Sequence, residues 1–181
     1  MDQIFAPWRI QWVERDEGDG DDGCPFCDLP ERGDDTDARI VARSERTFVL
    51  FNNYPYNPGH VMVIPYRHTG EYGSLSDAEL LDHARVKART FDALEAALGP
   101  DAFNAGLNLG GPAGGSIADH LHTHVVPRWN GDTNFMPVIS ETSVIVEAIA
   151  DTYDRVHDAF AAQEGATVAE TGAVRLRFDR D

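Results

Sequence analysis

Lysine is almost missing from this chain. Lys87 is the only one, and 15 Lys+Arg stand against 31 Asp+Glu, for a formal net charge of −16. Such a field repels phosphate backbones and anionic lipid, and no basic stripe offsets it, so nucleic-acid and membrane-surface binding are disfavoured. An acidic surface with arginine in place of lysine also suits a salt-loving cytoplasm, where screening removes the self-repulsion; the composition is halophile-like. Cysteine is scarce as well. With only Cys24 and Cys27, the disulfide framework of a small secreted domain is excluded by count. No apolar run approaches the ~18 residues that a bilayer-crossing helix needs. The opening "MDQIFAPWRIQWVERDEGDG" lacks a charged-then-apolar signal, and the expected location is cytoplasmic.

What is present reads as one domain, since 181 residues suffice for one real core. The low-complexity piece "RDEGDGDDG" (15–23) is a solvated loop or linker. After it, "ARIVARS" (38–44), "RTFVLFNN" (46–53) and the strand closing "YPYNPGHVMVIPY" (54–66) fit a meander. From Ser76 the period changes to that of a helix, opened by a Ser76/Glu79 capping box and stopped by Gly99-Pro100. Its apolar stripe runs through Leu80, Leu81, Ala84, Ala88, Phe91, Leu94 and Leu98. Two more strands, "FNAGLNL" (103–109) and "LHTHVVPRW" (121–129), flank the loop "GGPAGGSIAD", and a second helix covers about 142–162. The last ~15 residues read as extended or disordered. The class is α+β: a mostly antiparallel five-stranded sheet with one long helix on one face and a C-terminal helix.

Three of the seven histidines, His120, His122 and His124, fall at every second position. Side chains alternate along a strand, so the three share one face while Leu121, Thr123 and Val125 share the other. Imidazole is both nucleophile and acid/base near neutral pH, so such a face suits metal binding, proton transfer or covalent catalysis; the bland alternative is a solvated polar face. The preceding "GLNLGGPAGGS" offers unobstructed backbone N–H groups and the Ser116 hydroxyl, the parts of an anion cradle, without matching a P-loop or a dinucleotide fingerprint. Cys24-Pro-Phe-Cys27 has three readings: a redox pair, half a zinc site, or two buried small hydrophobes. His60, His83 and His157 are read more plainly, the first as a hydrogen-bonder beneath the strand and the others as solvated. Arg128 and Trp129 leave the strand on alternate faces, where one of them could meet a distal phosphate or base; the alternative for Trp129 is dimer or core packing.

"NLGGPAGGS" followed by His120-Leu-His122-Thr-His124-Val-Val closely resembles the signature of the histidine triad (HIT) family of nucleotide hydrolases and transferases. "FVLFNNYPYNPGHVMVIPYRH" is similar to the family's strand, Asn, Pro-Gly-His and strand block, and "HVVPRWNGDTNFMPV" to the branch that includes diadenosine tetraphosphate phosphorylases. The resemblance implies a HIT-like fold, with residues 1–23 an N-terminal segment, 24–139 the core and 140–181 a C-terminal helix and tail. It implies that His122 attacks the α-phosphorus of a nucleotide, with His124 and Ser116 holding phosphate oxygens. Asn52, Asn108, Gly114, Gly115 and His120 would lie around the nucleotide. It also implies a structural zinc ion on Cys24, Cys27, His68 and His120, and a homodimer. The chain departs from the family in Gly115, where many members have Gln, and in one extra residue before the triad.

The leading expectation is therefore an enzyme that cleaves dinucleoside polyphosphates at the α-phosphate through a covalent nucleotidyl-histidine, with water or phosphate as acceptor. Two alternatives remain: a nucleoside phosphoramidate hydrolase, and a non-catalytic nucleotide-binding or zinc-stabilised interaction module.

Overall fold

The computed structural model describes residues 23–113, 117–132 and 149–178. A short helix α1 (Pro25–Asp28) runs into a 3-10 turn. The meander follows as β1 (Ile40–Arg43), β2 (Thr47–Phe51) and β3 (Val61–Pro65). Helix α2 (Asp77–Leu98) then leads to β4 (Ala102–Gly106), β5 (Thr123–Arg128), helix α3 (Ile149–Ala161) and two short strands, β6 (Thr167–Val168) and β7 (Val174–Arg175).

The sheet is larger than the expected five strands and is mixed. Its order is β4-β5-β3-β2-β1-β7-β6, with β7 parallel to β1 and every other pairing antiparallel. The five expected strands are its antiparallel core. The added pair comes from the segment read as extended or disordered, whose strands are only two residues long and too short to show a period of two. A buried ion pair anchors this addition: Arg43 Nε donates to Asp35 at 2.9 Å, and Asp35 also accepts from the Thr171 hydroxyl. Of the helix expected at 142–162, the described part spans Ile149–Ala161. The acidic loop lies outside the described residues but for Gly23.

Both faces of the central strands are buried. On one, Val49, Val63 and Val125 pack against Val86, Ala93 and Leu94 of α2 and Val156 and Phe160 of α3. On the other, Phe48, Leu50, Met62 and Ile64 pack against Phe26 of α1. Helix α2 has the expected capping box, and Gly99 closes it in the left-handed region at φ 58°. Its buried stripe is rotated from the expected one. Leu81 is 53% exposed, and Ala84 and Ala88 face solvent, whereas His83, Val86, Thr90 and Ala93 turn inward. The inward polar groups are satisfied: Thr90 donates to its own helix at Val86, and His83 Nε2 lies 3.3 Å from the Val63 carbonyl and 3.2 Å from the Thr123 hydroxyl. His83 is thus buried, and desolvation keeps its pKa below the usual imidazole range.

Candidate functional site

Register sets the geometry. On β5, His124 lies opposite Met62 of β3 and Gly106 of β4, so its side chain belongs to the face away from the helices. Thr123 and Val125 point to the helix-covered face, as the alternation requires. His120 and His122 precede β5, which begins only at Thr123. Leu121 N–H donates to the Thr69 carbonyl instead of a strand neighbour, so the three histidines follow a strand entry rather than one continuous strand.

The hydrogen bonds fix what each ring offers. His122 Nδ1 lies 2.8 Å from the His120 carbonyl; a carbonyl only accepts, so Nδ1 carries the proton and Nε2 keeps its lone pair. Burial lowers the His122 pKa, favouring this neutral form. Tyr56 N–H donates to His60 Nδ1 at 3.0 Å, so the His60 proton sits on Nε2, 2.9 Å from His124 Nδ1. His124 accepts there and carries its own proton on Nε2. The His122 and His124 rings are 5.0 Å apart, edge to face. One side by side pair therefore presents an unprotonated nitrogen and an N–H donor.

His120 serves another centre. Its Nε2 donates to the Pro65 carbonyl at 2.8 Å, and its Nδ1 lies 3.3 Å from Cys24 Sγ and 3.6 Å from Cys27 Sγ. His68 Nδ1 is 3.3 Å from Cys27 Sγ, and the four donor atoms lie within 4.8 Å of one another. Both ring nitrogens of His120 thus face protein groups, which leaves none for the expected nucleotide contact. Burial and the neighbouring Cys24 thiol push the Cys27 thiol up to about 11, so Cys27 stays protonated without a cation and would ionise around one. Two sulfurs and two nitrogens with a fixed tautomer are a zinc-type donor set, and the Pro65 carbonyl orients one ligand from behind.

Among the other expected residues, Asn52 follows β2, where its Oδ1 accepts from Tyr54 N–H at 2.8 Å and shapes the loop to His60. Asn108 is half-buried in the loop after β4. Gly114, Gly115 and Ser116 lie outside the described residues. Arg128 binds Asp132 and Asn104, and the arginine lowers the Asp132 carboxyl to about 2; Asn57 joins the same carboxylate. This clasp fastens the end of β5 to the Asn57-Pro58-Gly59-His60 loop. Phe26 was missed by sequence reasoning. Its ring packs 5.5 Å from that of His120 and 5.2 Å from that of His122, so the Cys24–Cys27 turn also walls the second histidine. Its place between the two cysteines was the available signal.

The site is thus a histidine pair on one sheet face beside a Cys/His cluster. The model of the HIT domain matches residues 34–131, and the chain belongs to that family. It is an enzyme of that family: over 158 residues it is 38% identical to an AP-4-A phosphorylase of Mycobacterium tuberculosis, covering 84% of this chain and 80% of the relative. Over 95 residues it is 30% identical to the asymmetrical bis(5'-nucleosyl)-tetraphosphatase of Schizosaccharomyces pombe, covering 52% of this chain and 52% of that protein. The solved structures include a zinc-bound histidine triad protein from Mycobacterium smegmatis, 25% identical, with a TM-score of 0.61, covering 77% of this chain and 94% of that one.

Proposed function

We propose that the protein cleaves dinucleoside polyphosphates such as diadenosine tetraphosphate at an α-phosphate, through a covalent nucleotide on His122. The observation that carries this reading is the His120 carbonyl on His122 Nδ1–H, which turns the Nε2 lone pair into the free nucleophile. In the first step Nε2 attacks the α-phosphorus; a P–N bond forms, and the P–O bond to the remaining phosphates breaks. In the second, water or inorganic phosphate attacks the same phosphorus and the P–N bond breaks, releasing the mononucleotide product. Splitting one displacement into two suits a neutral imidazole, which needs no strong base. His124 donates Nε2–H to a phosphate oxygen, its tautomer held by His60. Ser116 and the backbone of Gly114 and Gly115 are proposed to complete the phosphate cradle, and Asn52 and Asn108 to meet the nucleoside. The names of the relatives favour a dinucleoside tetraphosphate over a phosphoramidate.

Cys24, Cys27, His68 and His120 are proposed to hold zinc. Four protein ligands leave no open position, so the ion would supply rigidity. A homodimer is proposed as well, through β4, an edge strand of the sheet with mostly exposed residues.

Incubation with diadenosine tetraphosphate, with and without phosphate, tests the reaction. ADP with ATP marks phosphorolysis and AMP with ATP hydrolysis. The His122→Asn variant is expected to lose at least ~10³-fold in kcat. Undiminished turnover by that variant would falsify the covalent reading.

A further inference from the structure

On the helix-covered side of the sheet, a groove of about 740 Å³ opens between the β1–β2 turn, the start of α2 and the chain from the end of β7 to Phe178. Arg46, Arg85, Arg175 and Arg177 line it. Two acids share the wall: Glu45 accepts from Arg46 at 3.1 Å and offsets it, and Asp82 accepts from the Ser44 hydroxyl at 2.6 Å, which leaves the arginines in excess. Arg175 and Arg177 are exposed and form no ion pair among the described residues. That is unexpected in a chain with 31 acidic side chains to offer. One groove thus reverses the sign of a molecule whose net charge is −16. Its floor is apolar. Leu81, the helix residue expected in the core, is 53% exposed here, and the Arg85 guanidinium lies 5.8 Å over the Phe178 ring. A second cavity of about 830 Å³ continues past Arg85, Arg177 and Phe178; it adds Arg89 together with the acids Asp92 and Glu164, so the excess of positive charge belongs to the first groove.

Clustered guanidinium groups repel one another unless an anion lies between them, and their forks fit phosphate oxygens in pairs. The volume lies in the range of small-ligand sites, roughly 300–1,000 Å³. An acidic protein would have to bring its whole surface against the remaining negative field, whereas a small anion enters only the local one. We propose that this groove is a second anion site, which binds an oligophosphate, inorganic or carried by a nucleoside. It is separate from the histidine pair, which lies on the opposite face of the sheet. Arg175 and Arg177 belong to the part of the chain beyond residue 131, where the match to the domain model ends.

Equilibrium dialysis of the full chain with tripolyphosphate and with ATP tests the proposal, at the lowest KCl at which the protein melts cooperatively. The Arg175→Ser/Arg177→Ser double variant is expected to weaken tripolyphosphate binding at least tenfold and to reduce ATP from two equivalents per chain to one. An Arg39→Ser/Arg155→Ser variant, with the same charge change elsewhere, is expected to bind like the parent. A tenfold loss for tripolyphosphate alone assigns the groove to inorganic chains, and a loss for ATP alone to nucleoside-borne ones. Equal weakening in both double variants, or unchanged binding of both probes to Arg175→Ser/Arg177→Ser, overturns the site. Neither result bears on His122 chemistry, which is read from turnover.

Discussion

His60 and His124 stand 64 positions apart in the chain, yet a 2.9 Å hydrogen bond between their rings decides which nitrogen of His124 carries a proton. A backbone donor at one end of the relay, Tyr56 N–H, makes the direction of that bond unambiguous. His60→Leu is therefore expected to lower kcat on diadenosine tetraphosphate by about 10²-fold, the low end of a positioned acid–base contribution, with a smaller change in KM. His60→Gln keeps an N–H that can face Nδ1 and is expected to recover part of that loss. Equal kcat losses in the two variants, at matched thermal stability, would argue that His60 only fills space. The histidine spacing in the sequence shows three rings on one side of an extended chain. It does not show that the first of them turns its ring nitrogens away from the other two, because that depends on where Pro65 and the cysteines arrive.

At the scale of elements, one device holds the site and another holds the added strands. The first is the Cys24–Cys27 turn, which brings a donor set and the Phe26 ring against the strand entry. Stoichiometric zinc in the purified protein is the expected result, and Cys24→Ser is expected to lose the metal and melt lower than the parent. A metal-free parent with an unshifted variant would remove the assignment. The second is the Asp35–Arg43 pair, with the carboxylate fully buried and the arginine 8% exposed. Removing one partner strands the other charge, so Asp35→Ala is expected to cost about 3–5 kcal/mol. For a chain of this size that is a fall of roughly 10 °C in Tm, readable by calorimetry. The capping box and the Gly99 stop were legible in the sequence because they are local. The rotation of the α2 stripe was not, because Thr123 and the Val63 carbonyl, which receive His83, come from other elements.

For the whole molecule the governing quantity is the net charge of −16. Self-repulsion at that density is relieved by screening, with a Debye length of about 10 Å at 0.1 M salt and 3 Å at 1 M. The melting temperature is expected to rise from low to molar KCl, and a flat response in a KCl series would sink the halophilic reading. Among the described residues, no helix is long and apolar enough to cross a membrane.

The sequence by itself determined the α+β class, the antiparallel core, the ends of α2 and the alternation that separates a packing face from a chemical one. These follow from short-range rules: period, capping and turn residues act within a few positions. Only the tertiary structure decided the tautomers of His122 and His124, the Phe26 wall, the parallel β1–β7 pairing and the arginine groove. Each of these joins groups far apart in the chain, so its outcome rests on which carbonyl, thiol or strand edge the fold brings alongside.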